Sequence, residues 1–166
     1  MRTKVIAVDG LGGAGKSGLA NHLAEELGGA QVVRTDDFAS WDNPLDWWPR
    51  LVGDVLEPLA GNRPARYRRS DWEGAGREEW CEVVPADFVV LEGVSASREA
   101  FRPFLTYAVW VETPRDVRLR RGLDRDGEQA RAQWERWMAE EDDYVRREQP
   151  RRHADLVVPG DRDLWS

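Results

Sequence analysis

Gly10-Leu11-Gly12-Gly13-Ala14-Gly15-Lys16-Ser17 decides how the rest of the chain is read. The spacing is that of a phosphate-binding loop: Gly, four residues, then Gly-Lys-Ser. Before it, Thr3-Lys4-Val5-Ile6-Ala7-Val8 is a short apolar run that reads as a buried strand. After it, Leu19, Ala20, Leu23, Ala24 and Leu27 recur at helical spacing, with Gly28-Gly29 placed to end the helix. Strand, glycine loop and helix in that order give the loop its chemistry. Glycines let the backbone turn sharply and bring N–H groups close to phosphate oxygens. The free N–H groups at the helix start face the same anion. Lys16 supplies a mobile charge for the outer phosphates, and the Ser17 hydroxyl suits Mg²⁺. The expected nucleotide-binding residues are Gly10, Gly12, Gly13, Ala14, Gly15, Lys16, Ser17 and Gly18.

Further acidic groups fall where strands should end. Gln31-Val32-Val33-Arg34-Thr35 reads as a second strand followed by Asp36-Asp37-Phe38, and Asp87-Phe88-Val89-Val90-Leu91 as a central third strand followed by Glu92-Gly93. Carboxylates just past the C-terminal ends of strands in an open α/β sheet lie where ligands bind. Asp36 there can orient or deprotonate a substrate hydroxyl, and Glu92 can join Ser17 at a magnesium ion. Tyr107-Ala108-Val109-Trp110-Val111 is a fourth strand. Pro114 opens a helix on which Arg118, Arg121 and Arg125 share one face, a candidate lid over transferred phosphate. A long amphipathic helix from about Glu128 to Arg147 carries Ala130, Trp134, Trp137, Met138 and Tyr144 as an apolar stripe read as core. On it Glu140, Glu141, Asp142 and Asp143 read as solvated. Ala154-Asp155-Leu156-Val157-Val158 is the fifth strand.

The stretch from Ser40 to Glu82 is less regular. Trp41, Trp47, Trp48, Trp72 and Trp80 fall here, out of nine tryptophans in the chain, with Arg63, Arg66, Arg68, Arg69 and Arg77. Leu51, Val52, Val55, Leu56 and Leu59 suggest a helix stopped near Gly61. Mixed aromatic and arginine side chains suit a planar or anionic small molecule, or the tryptophans pack a satellite core.

Composition narrows the classes. A chain of 166 residues is expected to form one domain. Its net charge of -7 disfavours general nucleic-acid binding. Among the 24 basic residues only Lys4 and Lys16 are lysines, which leaves none for a guanine-reading Asn-Lys-x-Asp motif. The single cysteine, Cys81, excludes an internal disulfide. No apolar run approaches membrane-spanning length and the N-terminus lacks a signal pattern, so a cytoplasmic protein, monomer or homodimer, is expected.

Taken in order, Gly10 to Ser17, Asp36-Asp37-Phe38, Glu92-Gly93 and Asp116 to Arg121 continuing to Arg125-Asp126 resemble the uridine kinase and nicotinamide riboside kinase group of P-loop kinases, especially a short bacterial uridine kinase-like branch. The resemblance implies a three-layer fold with a five-stranded parallel sheet in the order 2-3-1-4-5. It implies one kinase domain over 1–166, with a substrate-binding insertion at about 40–82 and a lid at about 115–127. ATP and Mg²⁺ would be used, and a phosphate moved to a hydroxyl of a small molecule. Asp36 would act as base, Lys16 and the lid arginines Arg118, Arg121 and Arg125 as phosphate contacts, and Ser17 and Glu92 as the metal site. Asp37, Phe38, Trp72 and Arg66 are the substrate candidates, with Trp72 standing where the family places an aromatic ring against the base. Trp48 stands where family members usually have a ribose-binding Asp, so the reaction transfers better than the acceptor. Sugar acids, other small hydroxy acids, or an ATP-binding regulatory role without an acceptor are the alternatives.

Overall fold

Alternate residues of the central strands are apolar on both sides, and a sheet built from such strands must be covered on both faces. In the computed structural model, which describes residues 2–72 and 79–162, that is what forms. The strands are β1 (Lys4–Gly10), β2 (Gln31–Arg34), β5 (Phe88–Glu92), β6 (Leu105–Glu112) and β7 (Leu156–Pro159). All four of their pairings are parallel, in the order β2-β5-β1-β6-β7. Counted among themselves, these five strands run 2-3-1-4-5, as the resemblance implies.

On one face, Val8, Val90, Val109 and Val111 pack with Leu19, Ala20 and Ala24 of α1 (Lys16–Glu26). On the other, Val5, Ala7, Val33, Val89 and Leu91 pack with Leu51, Val55, Leu56 and Leu59. Those four lie on α2, the helical stretch over 48–60, which includes a π-turn at Val52–Leu56. The helix expected from Leu51 to Leu59 therefore forms, and its apolar stripe is the third layer.

The arginine-rich segment holds structure that the sequence reading missed. β3 (Ala65–Arg69) and β4 (Glu79–Val83) form an antiparallel hairpin apart from the main sheet. Ala65 and Tyr67 are buried while Arg66 and Arg68 are exposed. Four charged or aromatic residues in a row masked this two-residue period. Arg77 lies outside the described residues. After β6 come α3 (Arg115–Asp126), α4 (Arg131–Glu148) and the short α5 (Pro150–His153). Pro150 thus starts a helix at its first position, where a missing N–H costs nothing. No helix of the described residues is long and apolar enough to cross a membrane.

Candidate active site

β1 ends at Gly10 and the chain turns at once into the glycine loop. Gly13 and Gly15 adopt φ of +79° and +95°, the left-handed region that glycine enters without strain. α1 then begins at Lys16, so its unpaired amides open onto the loop. The loop is seated against α3. A Cβ on Gly13 would lie 2.6 Å from the Arg118 carbonyl oxygen. Lys16 is buried, and its ammonium donates to the Leu11 carbonyl oxygen at 2.9 Å.

Beneath the loop, Asp9 is fully buried. Its carboxylate accepts from Gly10 N (2.7 Å), Ser95 N (3.0 Å), Ser97 N (3.2 Å), Ser97 Oγ (2.6 Å) and Tyr144 OH (2.6 Å). Burial raises its pKa, partly offset by the donors of Ser97, Tyr144 and Gly10. It locks the end of β1, the loop after β5 and α4 together.

The acidic groups sit where the strand ends place them. The Ser17 hydroxyl donates to Glu92 Oε1 at 3.1 Å, and Arg34 Nη1 lies 3.2 Å from Glu92 Oε2. Two protein oxygens side by side fit a hard cation that keeps most of its ligands as water and phosphate oxygen, the habit of Mg²⁺. Among the described residues no group of three or more His, Cys, Asp or Glu could cage a metal without such help. Asp36 stands on the single helical turn Thr35–Asp37 that follows β2.

A cavity of about 350 Å³ joins these parts. Gly12, Gly13, Gly15, Lys16, Ser17 and Gly18 form its floor, and Asp36, Glu92 and Gly93 one wall. Arg121, Arg125, Trp134, Trp137 and Glu141 stand on the other side. Arg121 Nη1 donates to the Gly13 carbonyl oxygen at 3.0 Å. Arg125 is exposed, pairs with Asp126 at 3.0 Å and lies 5.7 Å over the Trp134 ring. Arg118 is not a wall residue. It is buried, its Nε donates to the Thr113 carbonyl oxygen at 3.0 Å, and loss of solvent lowers its pKa.

None of the four substrate candidates, Asp37, Phe38, Trp72 and Arg66, lines the cavity itself. Phe38 is buried and stacks on Tyr67 with ring centroids 4.8 Å apart. Asp37 turns to the hairpin, where Arg69 Nε lies 3.1 Å from Oδ1 and Tyr67 OH donates to Oδ2 at 3.2 Å. Burial raises its pKa, offset first by Arg69. Arg66 is on the opposite face of β3, its guanidinium 4.6 Å over Trp80. Strand alternation brings Arg69, not Arg66, to the side of Asp37. Trp72 donates from Nε1 to the Asp36 carbonyl oxygen at 2.9 Å, and Ser70 N to the Asp37 carbonyl oxygen at 2.6 Å, so the hairpin braces the aspartate turn. The Trp72 ring stacks on Trp137 at 5.4 Å, and Trp41 meets both rings edge-on.

Two expectations for α4 are corrected. Trp134 and Trp137 line the cavity as well as packing the fold. Glu141, expected in solvent, is 2% exposed, and its Oε2 accepts from Gly12 N at 2.7 Å. The signal available was the spacing of 134, 137 and 141, one helix face that the acidic run disguised. Burial raises the Glu141 pKa against the opposing pull of the Gly12 amide, Lys16 and Arg118.

The fold agrees with the comparisons. No protein-family model matches the chain. It is 27% identical over 180 aligned residues to a uridine kinase of Halobacterium salinarum, covering 93% of this chain and 79% of that one. It is 28% identical to a uridine kinase of Alkaliphilus metalliredigens, covering 75% and 68%. Among solved structures, a possible uridine kinase from Bacillus stearothermophilus superposes with a TM-score of 0.70 at 22% identity over 95% of this chain and 89% of that one. A putative fructose transport system kinase from a Silicibacter species does so at 0.73 and 20%, over 95% and 90%.

Proposed function

We propose that this chain, a small-molecule kinase of the uridine kinase-like P-loop group, uses ATP and Mg²⁺ to phosphorylate a hydroxyl of a nucleoside-like acceptor. The observation that carries this reading is a cavity lined together by the glycine loop, Asp36, Glu92 and two arginines. Phosphoryl transfer leaves a protein little covalent work, so positioning and charge are what it must supply.

Each part can be given its task. The loop amides and Lys16 bind the polyphosphate. Asp36, held by Trp72 through its own carbonyl and by the hairpin through its neighbour Asp37, aims the acceptor hydroxyl and takes its proton. Arg121 and Arg125 offset negative charge on the transferred group from the α3 side. Ser17 and Glu92 would hold Mg²⁺, which when bound neutralises phosphate charge. Arg34 fixes Glu92 from behind. Arg118 acts differently from the other two: its contacts seat the loop and α3 rather than meet the transferred group.

Residues 40–82 supply the acceptor side and 115–127 the lid. The Trp41, Trp72 and Trp137 cluster offers flat faces beside Asp36, and this supports a planar base over a compact sugar acid. The test is ATP consumption with Mg²⁺ over a panel of nucleosides, sugars and hydroxy acids. Turnover that rises on adding a nucleoside is expected. Turnover rising only with a sugar or hydroxy acid would overturn the acceptor class, and turnover indifferent to every acceptor would overturn the kinase reading.

A further inference from the structure

We infer that Glu141 is a resident anion of the phosphate-binding loop, which the phosphate of an incoming nucleotide must displace from the Gly12 amide. The inference rests on the kinase reading but concerns how the loop is held before nucleotide arrives.

Gly12 N–H is a donor of the glycine loop at the cavity floor, and a carboxylate oxygen already takes it at 2.7 Å. That carboxylate is nearly inaccessible to solvent, where a charge is costly unless fully paired. Its pairing is incomplete. Oε1 accepts no hydrogen bond, and Arg118 Nη1, 3.8 Å away, donates none. The separation is too long for a hydrogen bond. Among the described residues the buried side-chain polar atoms without a partner are these two and Trp137 Nε1, all belonging to α3 and α4. Lys16, meanwhile, spends its ammonium on a neutral carbonyl. Loop amide and lysine, with the buried Arg118 behind them, thus form a positive pocket that the Glu141 carboxylate fits poorly. A phosphate brings more negative charge and more acceptor oxygens than a carboxylate.

The two anions cannot share the space. A carboxylate beside a terminal phosphate repels it strongly where solvent is scarce. Glu141 therefore withdraws from the Gly12 amide, and burial, which raises its pKa, already disfavours its charge there. Withdrawal is coupled to the rest of α4. A Cβ on Gly12 would lie 3.2 Å from Glu141 Oε2 and 3.3 Å from Trp134 Cζ3, so carboxylate and indole cover the loop together. Trp137 stands one turn away on the same cavity wall.

Glu141→Gln keeps an oxygen for the Gly12 amide and removes the charge. Mg-ATP and adenosine are titrated into wild type and variant, each checked for native circular dichroism. ATP should bind the variant roughly tenfold or more tighter, with adenosine affinity unchanged. Equal or weaker ATP binding by the folded variant would overturn the inference. Should the variant not fold, hydrogen exchange of wild-type residues 134–144 decides. It should change with ATP and stay as it is with adenosine, and exchange unaffected by ATP overturns the inference. If wild type and folded variant both fail to bind ATP, the kinase reading falls and this one with it. If wild type binds and the variant gains nothing, only the resident-anion inference falls.

Discussion

Removing the Asp9 carboxylate should cost more stability than any other single truncation near the loop. Asp9→Ala strands three backbone amides, Gly10 N, Ser95 N and Ser97 N, and two hydroxyls, Ser97 Oγ and Tyr144 OH. The hydroxyls can rotate to other acceptors, but the amides cannot. An unsatisfied buried donor costs about 1–3 kcal/mol. Water entering the space left by the side chain can satisfy one of the three. Two stranded amides plus the lost packing give about 3–5 kcal/mol, a large share of the ~5–15 kcal/mol that holds a typical domain folded. With a urea slope of about 2 kcal/mol/M, the midpoint should fall by about 1.5–2.5 M. Tyr144→Phe removes only one donor and should cost about 1 kcal/mol. In the double variant with Asp9→Ala that cost should shrink, because the acceptor is already gone. Urea unfolding followed by tryptophan fluorescence measures all three. A loss under about 1 kcal/mol for Asp9→Ala would refute the idea that this carboxylate ties β1, the β5 loop and α4 together.

Gly13→Ala should lose about 2–4 kcal/mol by the same assay, from left-handed backbone strain plus the close approach to the Arg118 carbonyl. Gly18→Ala, in open space on α1, should instead gain about 0.5–1 kcal/mol, and a similar loss in both would contradict the cradle geometry. A carboxyl with a raised folded pKa contributes stability that is complete below its ordinary value and is lost as pH rises through the raised one. Glu141 is such a group. Glu141→Gln should therefore be more stable than wild type at pH 7–8, with the difference closing towards about pH 4; a difference that widens on acidification refutes the sign. Glu92→Gln should raise the magnesium concentration for half-maximal turnover by ~10-fold or more while leaving urea stability near wild type, and an unchanged magnesium requirement would remove Glu92 from the metal site.

The sheet was legible because its strands are short apolar runs punctuated by glycine and acidic residues, and because Gly10 to Ser17 fixes what precedes and follows it. That Asp36 and Glu92 would line the cavity was legible for the same reason: strand ends in such a sheet open onto its crevice. The hairpin was not, since Ala65-Arg66-Tyr67-Arg68-Arg69 shows its alternation only once Tyr67 is known to be buried. That parity also separates Arg69, which reaches Asp37, from Arg66, which does not. Glu141 was hidden by its neighbours. Within Glu140-Glu141-Asp142-Asp143 nothing local distinguishes the one carboxylate that a glycine amide, 129 residues away, draws into the interior. Asp9 was overlooked because a single aspartate before a glycine reads as a turn, and four of its five donors come from two distant parts of the chain, residues 95–97 and Tyr144.

Transfer of radiolabel from the terminal phosphate of ATP, in a single turnover with magnesium and the best acceptor of the panel, tests the central claim most directly. Wild type should place the label on the acceptor hydroxyl, and Asp36→Asn should do so at a rate lower by ~10²-fold or more with ATP affinity retained. Label released only as inorganic phosphate, or transferred by Asp36→Asn as fast as by wild type, would contradict the account.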